Sequence, residues 1–136
     1  MFDITGEDNI KKPEEYSPLV LAYIGDAVYD ILTRQYIISR GNAPVNVLDR
    51  RARKIVNAAA QSAAYEKIRD RLTEEETAVY KRGRNAKSHT SAKNQSITDY
   101  RRATGMEALF GYLYLKRDND RISELYELCI GGEVLE

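Results

Sequence analysis

Two carboxylates in this chain stand where carboxylates are rarely placed. Asp26 lies inside the apolar run LVLAYIGDAVYDIL, and Glu107 lies inside ATGMEALFGYLYL. Acidic side chains are seldom set on the apolar face of a helix without a reason. Each has small neighbours, Gly25 and Ala27 for Asp26, and Gly105, Ala108 and Gly111 for Glu107. Small neighbours let two helices pack closely enough for the carboxylates to meet. Two buried like charges then repel unless a cation joins them. A hard divalent ion such as Mg²⁺ resolves the conflict, since it takes one or two protein carboxylates and keeps waters and phosphate oxygens as its other ligands. The plainer alternative places each acid on a helix surface, or beside one of the arginines, and residue types alone leave both readings open.

The elements that must position these acids read as helices throughout. Residues 1–16 read as a loosely ordered lead-in and residues 17–136 as a single domain. Ser17-Pro18 supplies a capping hydroxyl followed by proline at the first helical position. The predicted helix runs to about Ser39, with Leu19, Ala22, Tyr23, Ala27, Ile31 and Leu32 at helical spacing. The turn Arg40-Gly41-Asn42-Ala43-Pro44 ends it. A second long helix is predicted from about Val47 to Arg71, through the alanine-rich run Asn57 to Ala64. Thr73-Glu74-Glu75-Glu76 has the capping-box pattern, so a third helix runs from there to about Gly83. The polar stretch RNAKSHTSAKNQS, Arg84 to Ser96, has almost nothing to bury; a loop of that length in a small domain is usually functional or disordered. The helix that carries Glu107 spans about Ile97 to Lys116, capped by Ser96 or Thr98. A last one, Asp120 to Ile130, stops at Gly131-Gly132. No strand pattern, internal repeat or interdomain linker is visible, and the predicted class is an all-α helical bundle.

Composition narrows the function classes. A chain of 136 residues suffices for one domain with a core and not for two. Cys129 is the sole cysteine, which excludes an internal disulfide and suits a reducing, cytoplasmic setting; it reads as a small core residue. The amino terminus, MFDITGEDNIKKPEEYSP, is polar and acidic, unlike a secretory or import signal. The most apolar run, Leu19 to Tyr29, is short and holds Asp26, so no membrane span is expected. Net charge is zero, yet charge is segregated. Arg51 to Leu72 carries six basic residues against two acidic ones. Lys81 to Arg102 carries seven, Lys81, Arg82, Arg84, Lys87, Lys93, Arg101 and Arg102, against Asp99 alone. A basic face can steer a polyanion whatever the net charge; a merely solvated helix face is the alternative. The ten tyrosines, scattered at helical spacing, read mostly as core.

The two acid-bearing segments carry a family resemblance. Tyr23-Ile24-Gly25-Asp26-Ala27-Val28 is similar to the signature helix of the ribonuclease III family. Glu107-Ala108-Leu109-Phe110-Gly111-Tyr112-Leu113-Tyr114-Leu115 resembles that family's second catalytic helix, with Glu-Ala, Gly and Tyr-Leu in register. The resemblance spans about residues 17 to 130 and implies the all-α bundle of the ribonuclease III endonuclease domain. That catalytic domain normally precedes a double-stranded-RNA-binding domain, for which this chain ends too early. Together with the RGRNAKSHTSAKN loop and YRRATGMEALFGYLYL, this looks like the branch of the family that consists of the catalytic domain alone. Such a resemblance implies a homodimer that trims the precursor of large-subunit (23S) ribosomal RNA, with a ribosomal protein as a possible accessory. Two family carboxylates have no counterpart: Ala22 stands one turn before Asp26, and Thr104 three residues before Glu107.

The expected activity is Mg²⁺-dependent cleavage of double-stranded RNA. Asp26 and Glu107 serve as catalytic and metal-binding residues, with the remaining metal ligands drawn from water and RNA. Family resemblance implies products with 5′-phosphate and 3′-hydroxyl ends. A-form RNA offers phosphates and 2′-hydroxyls across a shallow minor groove. Without a separate RNA-binding domain, the grip falls to Lys81, Arg82, Arg84, Asn85, Lys87, His89, Lys93, Arg101 and Arg102. Pairing with the glutamates at 74–76 is the alternative for Arg82 or Arg84. His89 is read as an RNA contact or an inert loop residue, and Asp30 as an outer-sphere acid or a solvent-facing one. The rival function is a catalytically silent RNA-binding or ribosome-associated protein on the same scaffold.

Overall fold

Five of the six described α-helices start at a short polar side chain that accepts a backbone N–H. The computed structural model describes residues 12–87 and 96–131, and among these it contains six α-helices and no strand. Ser17 accepts the Val20 N–H at 3.3 Å, Pro18 takes the first turn, and α1 runs Pro18–Ile38. Gly41, at φ +123°, makes the following turn, a backbone conformation open to glycine. Of the expected lead-in, residues 1–11 lie outside the described residues, and Pro13–Glu15 forms one 3-10 turn.

The single helix expected over Val47 to Arg71 is two helices, α2 (Val45–Ile55) and α3 (Ala58–Ile68), followed by a 3-10 turn over Arg69–Arg71. Asn57 is the cause. Its Oδ1 accepts the Ala60 N–H at 2.8 Å, capping α3, while its Nδ2 donates to the Arg53 carbonyl at 2.7 Å, closing α2. An asparagine that can satisfy both ends offers the backbone an alternative to continuous helix. Thr73 and Glu76 exchange the two bonds of a capping box at 3.1 and 2.9 Å, and α4 runs Glu74–Asn85, two residues beyond the expected end. Ser96, rather than Thr98, caps α5 (Ile97–Leu115) by accepting the Asp99 N–H. Asp118 caps α6 (Asn119–Ile130).

The helix α5 lies against α1, α3 and α4 and contributes Met106, Leu109, Phe110 and Leu113, all fully buried. Around it Tyr29 meets Phe110 and Tyr126 edge to face, with centroids 5.1 and 5.3 Å apart. The inward face of α1 is Leu21, Ala22, Gly25, Val28, Tyr29 and Leu32. Leu19, Tyr23 and Ile31, counted in the sequence among the helix-1 apolar positions, are exposed, Tyr23 to 83%. A polar tie joins the far end: Arg121 donates to both carboxylate oxygens of Glu76 at 2.8 Å and to the Arg71 carbonyl at 2.8 Å. Cys129 is buried, and burial pushes its thiol up to about 12, so it packs and does not react. None of the described helices is long and apolar enough to cross a membrane.

Candidate active site

The site begins with two missing side chains. A Cβ on Gly25 would run into the backbone carbonyl of Glu107, and one on Gly111 into the backbone carbonyl of Leu21. The backbones of α1 and α5 therefore touch at a glycine-on-glycine crossing. Asp26 and Glu107 flank that crossing, one from each helix, and their carboxyl groups hydrogen-bond to each other.

Their surroundings differ. Asp26 is exposed, whereas Glu107 is half-buried under the crossing. Burial, then the charge of Asp26, then the hydrogen bond to it push the Glu107 carboxyl up to about 8. At neutral pH Glu107 thus retains its proton. A carboxylate pair that retains a proton so far above the ordinary range is deficient in positive charge, and a hard divalent cation with oxygen preference matches that deficit. Among the described residues no third carboxylate, histidine or cysteine completes a cluster of three. The two positions without family carboxylates are occupied otherwise: Ala22 is buried in the core, and Thr104 Oγ1 donates to the Tyr100 carbonyl at 3.1 Å. Asp30, one turn beyond Asp26, accepts a hydrogen bond from Arg34 Nε at 2.9 Å on the exposed side of α1.

The basic residues sort into two groups. Arg84, Asn85, Arg101 and Arg102 converge, with Thr98, on a pocket of about 250 Å³ between the end of α4 and the start of α5. Lys81 lines a different hollow with Leu72, Glu74, Thr77 and Ala78, and Arg82 and Lys87 are exposed. His89 and Lys93 lie outside the described residues. The alternative partners for Arg82 and Arg84 are largely taken, since Glu75 pairs with Lys116 at 2.7 Å and Glu76 with Arg121. Arg84 instead donates to Asn85 Oδ1 at 3.1 Å and lies over the Tyr80 ring. The sequence offered Thr98 only as a helix cap and gave no sign of Tyr65 and Tyr80 beneath the arginines. Both tyrosines occupy apolar helical positions, and only the packing of α3 and α4 against α5 brings their rings together.

An acid pair at a glycine crossing, on the same bundle as an arginine-lined pocket, is an arrangement suited to a phosphodiester substrate. A family model described as the ribonuclease III domain matches residues 19–118. The chain is 51% identical over 127 residues to the Mini-ribonuclease 3 of Clostridium tetani, covering 92% of this chain and 84% of that one. It is 49% identical over 119 residues to the Mini-ribonuclease 3 of Enterococcus faecalis, covering 86% and 90%. A crystal structure of a Fusobacterium nucleatum protein superposes with a TM-score of 0.81 at 33% identity, covering 91% of this chain and 95% of that one. The chain belongs to the ribonuclease III family, in its Mini-ribonuclease 3 branch, and is an endoribonuclease of double-stranded RNA. The silent-scaffold reading is set aside by the same relationships.

Proposed function

We propose that residues 17–136 form one catalytic unit in which Asp26 and Glu107 hold Mg²⁺ and cut duplex RNA, with the precursor of 23S ribosomal RNA as substrate. The observation that carries this reading is the meeting of the two carboxyl groups at the Gly25–Gly111 crossing. Asp26 and Glu107 would hold the ion, which would supply an activated water and offset charge on the phosphate. Asp26, being exposed, presents its carboxylate toward incoming RNA. Glu107, half-buried and backed by α1, keeps a fixed position because its own backbone carbonyl abuts Gly25. With two protein carboxylates, the remaining ligands of a bound ion would come from water and RNA. Lys81, Arg82, Arg84, Asn85, Lys87, His89, Lys93, Arg101 and Arg102 grip the duplex.

A homodimer follows from the substrate, because one protomer offers one acid pair and a duplex has two strands. The exposed apolar side chains Leu19, Val20, Tyr23 and Ile31 on α1, the helix of Asp26, support a self-associating face there. The working place is the cytoplasm, with a ribosomal protein as a possible accessory that shapes the RNA. Incubating the purified chain with long duplex RNA, first with Mg²⁺ and then with EDTA, tests the reading. Cleavage in Mg²⁺ that EDTA stops, and that Asp26→Asn and Glu107→Gln each abolish, is the expected result. Near-normal cleavage by either variant overturns the assignment of that carboxylate.

A further inference from the structure

Three guanidinium groups gather around two stacked rings at the junction of α3, α4 and α5. Tyr65 and Tyr80 lie face to face, with centroids 3.9 Å apart and planes 7° from parallel. Arg69 and Arg102 sit over Tyr65 at 5.5 and 5.6 Å, and Arg84 over Tyr80 at 5.9 Å. One carboxylate, Glu66, serves two of these cations, Arg69 at 2.7 Å and Arg102 at 3.5 Å. Arg84 has the neutral Asn85 amide as its side-chain acceptor. Arg101 is exposed beside them. The Tyr80 hydroxyl is buried with no hydrogen-bond partner among the described residues, and its electrostatic neighbours there are Tyr65 and the cations Arg102, Arg84 and Arg69. A guanidinium has no lone pair to offer, so none of them can accept that proton. Among the described residues, Glu66 and Asp70 are the carboxylates that act on these cations.

Stacking on aromatic faces holds a guanidinium in one orientation and reduces what is lost when it binds an anion. The pocket of about 250 Å³ opening in front of Arg84, Asn85, Thr98, Arg101 and Arg102 is several times the ~30 Å³ share of one water, room enough for a phosphate group. Its donors are forked guanidiniums, a hydroxyl and an amide, the set that matches phosphate oxygens. Thr98 and Arg101 precede Glu107 on the same helix by nine and six residues, which at ~1.5 Å per residue is about 14 and 9 Å along α5. A phosphate seated there is therefore a different one from that at the acid pair.

We propose that this pocket is a subsite for one phosphodiester of the bound RNA backbone, away from the scissile bond. Arg84 and Arg101 hold the phosphate, and Arg102, fixed by Tyr65 and Glu66, forms its wall. The proposal rests on the chain's being a duplex-RNA nuclease. It goes further in assigning two arginines from different helices to a single phosphate, as a register point on the strand.

Salt-dependent binding of duplex RNA in excess EDTA tests it, using the unmodified chain, Arg84→Ala, Arg101→Ala and the double variant. If both arginines share one phosphate, the double variant flattens the slope of log affinity against log salt by about 0.9, the value for one phosphate. Its affinity falls about tenfold, as for one charge-assisted contact. With Mg²⁺ restored, KM rises about tenfold while kcat stays within about twofold. A slope reduced by about 1.8 in the double variant means two separate contacts and overturns the shared subsite. An unchanged slope overturns any RNA contact at the pocket. Failure of the unmodified chain to cut duplex RNA in Mg²⁺ tells against the nuclease reading itself, whereas the EDTA binding series judges the pocket independently.

Discussion

Replacing Glu107 by glutamine should stabilise the metal-free protein increasingly as pH rises. In the folded chain the Glu107 carboxyl is pushed from its ordinary 4.5 up to about 8 by burial and by Asp26. A group with a raised folded pKa makes its full stabilising contribution below the unfolded value and loses it as pH rises through the folded one. The unmodified protein should therefore lose stability between about pH 4.5 and pH 8 and level off above. At ~1.36 kcal/mol per pH unit, that interval sets a ceiling of about 5 kcal/mol. Water reaches the exposed Asp26 and the half-buried Glu107, so screening should bring the measured effect to about 2–3 kcal/mol. For a domain of this size that is roughly 10 °C in melting temperature. Glutamine has the shape of the protonated acid and cannot ionise. The melting temperature of Glu107→Gln minus that of the unmodified chain, measured in chelator from pH 5 to 8.5, should climb and then plateau. Added Mg²⁺ should remove most of the difference at high pH. A difference that stays flat across the interval would refute the reasoning, because Glu107 would then be free to ionise without cost.

Three further outcomes are expected. Gly111→Ala, which drives a methyl into the Leu21 carbonyl, should cost at least about 3 kcal/mol in urea unfolding and cut activity with it, since the acid pair separates as the helices move apart. Arg121→Ala leaves the Glu76 carboxylate buried without its partner and should cost about 3–5 kcal/mol, while Glu75→Gln, at an exposed pair, should change stability by less than about 1 kcal/mol; thermal melts of both variants check the contrast. Light scattering should return about 31 kDa, twice the 15.5 kDa chain, and Tyr23→Asp should shift it toward the monomer; a fully active monomer would sink the dimer.

Much of this protein could be read along the chain because the signals involved are local. Ser17-Pro18, the Thr73–Glu76 box and Ser96 stand within four residues of the groups they cap, so the starts of α1, α4 and α5 follow from short-range chemistry. The small residues beside Asp26 and Glu107 likewise announced that two backbones would approach there. Asn57 was harder, because the alanines around it favour helix equally on both sides. Only the paired bonds to Arg53 and Ala60 decide that the chain breaks. Periodicity gave the helix but not the burial of Leu19, Tyr23 and Ile31, which are exposed. A helix that is apolar over most of its circumference does not say which apolar stripe faces inward, and the docking of α5 on Gly25 settles it. The raised Glu107 carboxyl belongs to the tertiary structure alone. An ionisation constant depends on what lies within a few ångströms, and Asp26 is eighty-one positions away in sequence. The same holds for the arginine pocket. Residue types supplied its cations, but the stack of Tyr65 on Tyr80, on whose rings Arg69, Arg84 and Arg102 lie, exists only once α3 and α4 both pack on α5.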